Sequence, residues 1–599
     1  EGAIGQSLTL DGRPYTVVGV LARGIGFPSP NIQVYCPMAT LADLPWDDRD
    51  AGFGTEVFAR LAPGVSLAAA SRELDRVGEQ VEHDVGRPVA RPVLQSLEQY
   101  FVGDIREQLW ILRGAVGCVL LIAVTNIGSL LVARGQDRHR ELAVRVALGA
   151  DRHGLFRLLL GEAFVLAGLG GLLGLVGARL ALGGLVALLP ADMPSLLVGR
   201  VHLGGTVLLA SAGLTLLVGA AFGLLPAFRV LGPNLSSVFR GGGRTATGQK
   251  QGLLGALVVI EVAVAIVLLA GAGLMIRSFS RLSRVDLGFR PDHVLAAHPQ
   301  PSDTRLPSRD TWYAFYTELR ERAAALPGVK SAALALLVPL SHRSWERRIW
   351  PEGVPTEEAT AQSVLYNVVS PEYFPTLGVP LLRGRLFQDA DRNGAPPVTI
   401  IDETMVDKFW PGEDPIGKRV TFETDSAGAP IYRTVVGVVR NVRHYEVASP
   451  SRIQVYIPVA QTGARFGMPL RLLITSDRPL TAVPAIRELL GRMDPDAPLT
   501  EVNEIGDLVA SALAPSRTLT GVLTAFGGAA LGLAALGIFG VLSYLVLRRT
   551  REIGIRMALG ATNGEILRWV GRQAFRLTAL GFVIGLLGAV ASTRLLRGV

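Results

Sequence analysis

The sequence predicts an α-helical polytopic membrane protein with internally duplicated units and α+β domains outside the cytoplasm. Composition is the first observation, because 49% of the 599 residues are hydrophobic, only 18% are charged, and 69 are glycine. The second is a series of six long apolar runs, and the third is an eleven-residue motif that occurs twice. Together they exclude an ordinary soluble enzyme.

The six apolar runs are each long enough to cross a bilayer as a helix. The predicted spans are Leu109–Ala133, Leu155–Leu189, Leu203–Phe228, Leu253–Ile276, Leu519–Leu547 and Gln573–Thr593. Three of the segments between or beside them are rich in Arg and Lys, which predicts that they are cytoplasmic. These segments are Arg134–Arg157, Arg229–Lys250 and Arg548–Arg572. The formal charge of +8 therefore indicates cytoplasmic loops and no nucleic-acid partner.

The repeated motif reads RELAVRVALGA over Arg140–Ala150 and REIGIRMALGA over Arg551–Ala561, with seven identical positions at an offset of 411. Each copy lies between two apolar runs, which predicts a short helix at the membrane surface that its glycine terminates. Asp151 in the first copy and Thr562 with Glu565 in the second then cap the next helix. The alternative, basic flanks that obey the positive-inside rule, does not explain the repeat.

The polar regions are also related to each other. The strand signals at Tyr15–Val20 and Ile32–Tyr35 recur at Thr434–Val438 and Ile453–Tyr456. A further strand signal lies at Val57–Leu61, and apolar spacings of three and four predict a helix over Ser66–Val81. A glycine row recurs at the same offset of 411 and is expected to let helices pack closely in lipid. Its members are Gly170, Gly174, Gly177, Gly581, Gly585 and Gly588.

The order of elements predicts two units related by a pseudo-twofold axis along the membrane normal, in a chain truncated at both ends. Residues 1–107 form a partial α+β domain outside the cytoplasm, 108–230 three transmembrane helices with a coupling helix at 138–149, and 231–252 a cytoplasmic linker. Residues 253–276 form the first transmembrane helix of the second unit, 277–515 its outer α+β domain, and 516–599 two transmembrane helices with a coupling helix at 549–560.

These features resemble the permeases of type VII ATP-binding-cassette systems, which include the macrolide exporter permease, the lipoprotein-releasing permease and the division protein that regulates cell-wall hydrolases. The resemblance covers essentially the whole chain and is carried by the two repeated motifs, the span order and the segment WPGEDPIGK at Trp410–Lys418. The covalent duplication is similar to that of duplicated orphan permeases. The resemblance implies that the coupling helices dock on a separate ATPase, which binds ATP. The docking residues it implies are Arg140, Glu141, Arg145, Gly149, Arg551, Glu552, Arg556 and Gly560.

The function expected from this resemblance is that of a permease subunit in the inner membrane of a bacterium. Its partners would be a cytoplasmic ABC ATPase, the lipid bilayer and an outer-membrane or periplasmic protein, and its outer domains would move for efflux or mechanotransmission. One alternative is a transmembrane regulator that transports nothing and controls an outer partner such as a cell-wall hydrolase. Another is a membrane receptor or scaffold without energy coupling.

Catalytic, cofactor and metal signatures were absent from the sequence, so no enzyme activity is predicted. Gly243–Lys250 imitates a phosphate-binding loop, but Gln249 interrupts it and no Ser or Thr follows the lysine. The eight histidines show no metal-ligand spacing, and Cys36 and Cys118 are too few for a disulfide framework.

Two carboxyl groups fall inside predicted spans. Glu261 is expected either to relay a proton or a substrate, or to be held at the interface between spans by a hydroxyl or backbone group. Glu162 aligns with Gln573 and is not expected to need ionisation. A cluster of aromatic residues in the second outer domain is expected to form the core face of a helix rather than a ligand cage. Its members are Trp312, Tyr313, Phe315 and Tyr316.

Overall fold

The computed structural model divides the chain into two units. The sheet unit comprises Glu1–Arg23, Val85–Val89 and Arg281–Pro515, and the helical unit comprises Gly24–Asp84, Ala90–Ser280 and Ser516–Val599. The residues that the structure describes are 2–10, 13–22, 27, 32–38, 57–85, 93–102, 106–147, 152–187, 204–231, 244–302, 306, 308–341, 343–355, 362–424, 430–448, 452–462 and 470–597.

Helices account for most of the described residues. They are α1 (Leu67–Val85), α2 (Leu97–Val102), α3 (Arg106–Ala147), α4 (Arg152–Ala187), α5 (Gly205–Leu231), α6 (Arg244–Leu282), α7 (Arg309–Ala324), α8 (Tyr373–Leu377), α9 (Glu403–Phe409), α10 (Val483–Met493), α11 (Ile505–Arg548), α12 (Thr550–Ala558) and α13 (Asn563–Arg597). The helix predicted over Ser66–Val81 is confirmed as α1.

The strands are shorter and belong almost entirely to the second outer domain. They are β1 (Ser7–Leu10), β2 (Arg13–Thr16), β3 (Val294–Pro299), β4 (Val329–Ala335), β5 (Glu346–Pro351), β6 (Gln362–Val369), β7 (Leu381–Gly384), β8 (Val398–Asp402), β9 (Arg419–Thr424), β10 (Pro430–Val439), β11 (Gln454–Pro458), β12 (Arg471–Ser476) and β13 (Leu499–Glu504).

In the residues that the structure describes, five helices have the length and hydropathy needed to cross a membrane. Their apolar stretches are Gln108–Gly128 in α3, Leu160–Gly184 in α4, Gly255–Leu282 in α6, Ile505–Tyr544 in α11 and Asn563–Arg594 in α13. The remaining predicted span coincides with α5, whose described apolar stretch is Gly205–Leu217. The spans in α3, α4, α6 and α11 have apolar residues around their whole circumference, so they suit lipid or a buried bundle better than a water-facing surface.

In the second repeat, the predicted glycine row packs α13 against α6. An ideal Cβ atom on Gly585 would lie 2.6 Å from the carbonyl oxygen of Ala263, and one on Gly581 would lie 2.9 Å from that of Val259. A Cβ on Gly588 would lie 3.3 Å from a methyl group of Val267. The two backbones are therefore too close for a side chain at Gly585 or Gly581.

The first repeat packs differently. An ideal Cβ on Gly170, Gly174 or Gly177 would meet no described atom within 4 Å. Here α4 packs against α5 instead, and the close approach uses Gly171, whose Cβ would lie 2.9 Å from Thr215, and Gly219 on α5. The same glycine spacing thus faces a neighbouring helix in one repeat and no described atom in the other.

Eleven strands of the sheet unit form one sheet in the order β11-β8-β10-β9-β5-β6-β4-β12-β3-β13, with β7 paired to β10. Strand β11 pairs with β8 and, in parallel, with β6, so six strands close into a ring. The remaining four strands of this path extend from β6, and β13, at the edge, pairs only with β3 among the described strands.

Strands β3 and β12 of this four-strand extension are covered on both faces, so nearly every one of their residues is buried. On β12, Leu472 and Ile474 join a core with α7 and α10, whereas Leu473 joins a second core with α8. Trp312 and Tyr316 on α7 are 3% and 2% exposed in the first core. The prediction that these aromatic residues form a core face is therefore confirmed for Trp312 and Tyr316, and Phe315 packs partly buried against the same core. Tyr313 is the exception, because it is 37% exposed.

Strand β13 carries an irregularity at Glu501, which has a φ of 46° between the paired residues Thr500 and Asn503. This left-handed conformation is unfavourable for a residue with a side chain. The Glu501 carboxylate accepts a hydrogen bond of 3.1 Å from Arg471 and one from Arg343. These charge-assisted bonds hold the bulged residue in place.

The first outer region is less regular than the sequence predicted. Strands β1 and β2 pair as a hairpin, but residues 17–22, 32–38 and 57–61 form no strand in the structure. The strand predicted over Tyr15–Val20 is therefore confirmed only up to Thr16, and the strand predictions at Ile32–Tyr35 and Val57–Leu61 are wrong. The segments of the second repeat that are related to the first two are strands β10 and β11, and these pair with β6, β8 and β9. Among the described residues of the first repeat, the only strands are the two of the hairpin.

Replacing Gly585 by leucine should destabilise the helical unit, because overpacking a close contact costs about 1–3 kcal/mol. Gly174→Leu is the matched control, since it occupies the same repeat position and faces no described atom. Thermal unfolding of the detergent-solubilised protein should show a lower midpoint for Gly585→Leu and little change for Gly174→Leu. Equal losses in the two variants would contradict the packing described above.

Asp402 should make the stability of the sheet unit depend on pH. Its buried side chain caps α9 by accepting a hydrogen bond of 3.1 Å from the Met405 amide. Burial raises its pKa from 3.8 to about 6, although Thr404 and Asn441 oppose this through hydrogen bonds. The folded state therefore keeps a proton that the unfolded state has lost, and this stabilisation is present below about pH 4 and lost by about pH 6.

The Asp402→Asn variant retains a capping side chain and removes the titration. Relative to it, the wild-type free energy of unfolding should fall by up to about 3 kcal/mol between pH 4 and 6. Burial lowers the pKa of His298 and His444 to about 4, an effect of opposite sign that cancels in the difference between the two proteins. The exposed Asp389→Asn variant should keep the wild-type profile, and an unchanged profile in Asp402→Asn would refute the assignment.

Candidate docking surface

The second copy of the repeated motif forms a helix and a turn between two spans. Helix α11 ends at Arg548, Arg549 forms the break, and α12 begins at Thr550. After α12, a short turn leads directly into α13. The motif therefore presents one short helix between two long apolar ones.

Gly560 ends α12 in the way that the sequence predicted. Its φ is 98°, a value that residues with a side chain rarely adopt. The Gly560 amide donates to the Met557 carbonyl at 3.0 Å, and the Ala561 amide donates to the Arg556 carbonyl at 3.0 Å. This pair of bonds is a Schellman motif, which satisfies carbonyl groups that the helix end leaves open.

The start of α13 is capped by Thr562 and Glu565. The Glu565 carboxylate accepts hydrogen bonds from the Thr562 amide at 2.9 Å and from the Thr562 hydroxyl at 3.2 Å. This confirms the predicted pairing of these two residues across the first turn. Defined ends on both sides of the turn fix where α12 stops and α13 starts.

Two arginines at α12 contact Trp569, a residue that the sequence did not indicate. Arg556 donates to Glu552 at 2.8 Å, one turn apart on the helix. The guanidinium carbons of Arg549 and Arg556 each lie 4.8 Å from the centre of the Trp569 ring. Such cation–π contacts orient both arginines. The residue at the equivalent position in the first repeat is Leu158, so comparison of the repeats gave no signal for Trp569.

Four side chains at helical spacing line one side of α12 and of its C-cap residue Leu559. We call this surface the α12 face: Glu552, Ile555, Arg556 and Leu559. The leucine is 82% exposed and the isoleucine 56% exposed. Spacings of three and four place these residues side by side, so an ion pair and two apolar groups share one patch. Apolar groups beside an oriented arginine are typical of protein interfaces.

The first copy is described only in part. Arg140, Glu141 and Arg145 lie within α3, which continues to Ala147 without the break seen before α12. Their side chains, the side chain of Arg551, and Gly149 lie outside the described residues. Over its described residues, 138–147, the coupling helix expected at 138–149 is thus the end of the longer helix α3.

The two intramembrane carboxyl groups differ in their surroundings. Glu261 is 2% exposed and lies between helices, whereas Glu162 lies on an exposed part of α4. The structure therefore favours an interfacial position for Glu261. Asn126 on α3, which the sequence analysis did not single out, lies beside it.

Two known families match the chain, and each matches it in two separate segments. The family described as MacB-like periplasmic core domain matches residues 1–77 and 256–504. The family described as FtsX-like permease C-terminal matches residues 113–235 and 524–598. Their alternation along the chain agrees with an internal duplication of one outer domain and one membrane region.

Curated relatives match a part of the chain. The pyoverdine export ATP-binding/permease protein PvdT of Pseudomonas syringae pv. tomato is 28% identical over 37% of this chain and 34% of its own length. The ABC transporter permease YknZ of Bacillus subtilis is 25% identical over 37% of this chain and 53% of its own length. The match thus spans about a third to a half of these relatives.

Among solved structures, the periplasmic region of MacB from Actinobacillus actinomycetemcomitans is 16% identical, with a TM-score of 0.25, and the match covers 36% of this chain and 90% of that one. The two family matches together extend over both repeats. The chain belongs to the family of multi-pass ABC-type permeases that combine MacB-like periplasmic core domains with the FtsX-like permease region.

Proposed function

We propose that this chain is the transmembrane subunit of an ABC-type export or mechanotransmission system in a bacterial inner membrane. A separate cytoplasmic ATPase would bind and hydrolyse ATP, and the outer domains would move in response. The names of its relatives join an ATP-binding part to a permease part, which supports an ATPase partner. The α12 face is the observation that carries the proposal.

Two properties make the α12 face suitable for docking. Its apolar side chains are exposed, so burying them against a partner would be favourable. Its charged side chains are already oriented by Trp569 and by the Glu552–Arg556 pair, so less side-chain entropy would be lost on binding. The equivalent residues Arg140, Glu141 and Arg145 would serve a second ATPase subunit.

One helix lies directly between the proposed docking element and the outer sheet in the chain. Helix α11 contains 44 residues, begins immediately after β13 and ends one residue before α12. Displacement of α12 would therefore act on a helix that is covalently joined to the sheet edge. This connection supports a role in which ATP-driven motion at the cytoplasmic side reaches the outer domain.

Reversing the charge of Glu552 should uncouple the permease from its ATPase. Disruption of a charged group at an interface typically costs about 2–5 kcal/mol, whereas loss of the ion pair within the helix costs only about 0.2–0.5 kcal/mol. We expect Glu552→Arg to insert and express normally and to lose most permease-stimulated ATP hydrolysis in reconstituted membranes. A double variant with Glu141→Arg should be worse than either single variant.

The charge swap Glu552→Arg with Arg556→Glu separates the two mechanisms. It can restore the ion pair within α12, yet it presents reversed charges to a partner, so ATPase stimulation should remain low. Full stimulation in the swapped protein, or in the double variant with Glu141→Arg, would rule out docking through these residues.

Leu559 should contribute apolar contact to the same interface. An aspartate at this exposed position would be hydrated in the free protein and would have to be desolvated on docking. We therefore expect Leu559→Asp to lower ATPase stimulation at least tenfold, a loss that corresponds to about 1.4 kcal/mol of binding. Leu567, which is 76% exposed on α13, provides the matched control. Equal activity of Leu559→Asp and Leu567→Asp would show that the α12 face is not the contact.

A further inference from the structure

Three helices bring polar groups to one buried point in the helical unit. Glu261 on α6 and Asn126 on α3 are 2% and 7% exposed, and both lie against Gly537 on α11. An ideal Cβ atom on Gly537 would lie 2.1 Å from Asn126 Oδ1 and 2.2 Å from Glu261 Oε2. The absence of a side chain at Gly537 therefore leaves the space that the two polar groups occupy.

This point lies where the two repeats meet. Asn126 and Gly537 occupy the same position of the repeat, at the offset of 411, and so do Ile122 and Leu533. The Asn126 amide nitrogen donates a hydrogen bond of 2.8 Å to the Leu533 carbonyl, so α3 and α11 pack at equivalent positions. Asparagine in one repeat fits beside glycine in the other, and Glu261 enters the contact from α6.

The Glu261 carboxyl has one oxygen that finds no donor. Its Oε1 atom is buried and has no hydrogen-bond partner among the described residues, and no described cation acts on the group. A carboxylate can only accept hydrogen bonds, whereas a carboxylic acid can also donate one. The Asn126 Oδ1 atom beside it is an acceptor. A neutral acid fits this apolar contact, whereas an ionised group would have only a hydrogen bond with the Asn126 side chain to offset its burial.

Other titratable groups near this contact are few in the described part of the bundle. Within two turns of Asn126, α3 carries no titratable side chain, and within two turns of Gly537, α11 carries only Tyr544. Helix α13 packs on α6 through Gly581, and within two turns of that glycine it carries the exposed Arg576. Cys118 lies just over two turns from Asn126 on α3. None of these groups can replace Glu261 as a buried acid.

We propose that Glu261 is a proton-binding site at the junction of the two repeats. Uptake of a proton turns its carboxyl into a donor to Asn126 and allows α3, α6 and α11 to pack together. Loss of the proton places a charge between the helices and weakens that packing. This site does not depend on ATPase docking and would link the arrangement of the spans to pH.

Infrared spectroscopy of the reconstituted full chain tests the site directly. The wild-type protein at neutral pH should show the carbonyl stretch of a buried protonated acid, and Glu261→Gln should lose this band. Glu162→Gln, which alters the exposed carboxyl group on α4, should retain it. Asn126→Leu should keep the band at a shifted frequency, because it removes the acceptor and leaves the acid. Identical spectra of wild type and Glu261→Gln would overturn the proposal.

Thermal unfolding provides a second measurement that does not rely on the band. The wild-type midpoint should fall as the pH is raised until Glu261 loses its proton, and Glu261→Gln should remove this part of the pH dependence. The glutamine supplies a neutral donor, so its protein should unfold near the wild-type midpoint measured at low pH. A profile for Glu261→Gln that stays parallel to wild type would show that no proton is bound at Glu261.

Discussion

The helical unit depends on close backbone contact, because lipid gives apolar helices no hydrophobic reason to associate. At Gly581 and Gly585 the carbonyl oxygens of α6 occupy the space of a side chain, so α6 and α13 gain dispersion contacts along their length. Gly537 likewise lets α3 approach α11 closely, but the space of its missing side chain is filled by the polar side chains of Asn126 and Glu261. Small residues therefore decide which helices are neighbours and whether a contact is apolar or polar.

Duplication gives the two repeats similar sequences in different surroundings. The glycine row packs against α6 in one repeat and meets no described atom in the other. Trp569 holds two arginines, whereas its counterpart is a leucine. Related segments also form strands β10 and β11 in one repeat, whereas in the described residues of the other only the part up to Thr16 is a strand. Local sequence thus specified the helices of both copies, while neighbours decided packing and strand formation.

The sequence was sufficient for features that depend on local interactions. Hydropathy located the spans, helical spacing located α1, and the residues around Gly560 and Thr562 predicted the end of α12 and the start of α13. Features that need a distant partner were missed. The strand signal at Ile32–Tyr35 could not show whether a second strand pairs with that segment. Trp569 and Asn126 carried no motif, because their roles arise from residues that approach only in the folded bundle.

The closed ring of strands and the open edge beside it have unequal resistance to fraying. Within the ring, every strand is hydrogen-bonded on both sides, so none can detach without breaking two ladders. Within the described part of the chain, β13 is bonded only to β3, and the bulge at Glu501 interrupts that ladder. It therefore opens at the lowest free energy among the strands of the extension, and its amides would exchange with solvent hydrogen before those of β12 or β3. Since β13 runs directly into α11, this local opening would lengthen the tether between helix and sheet without unfolding either core.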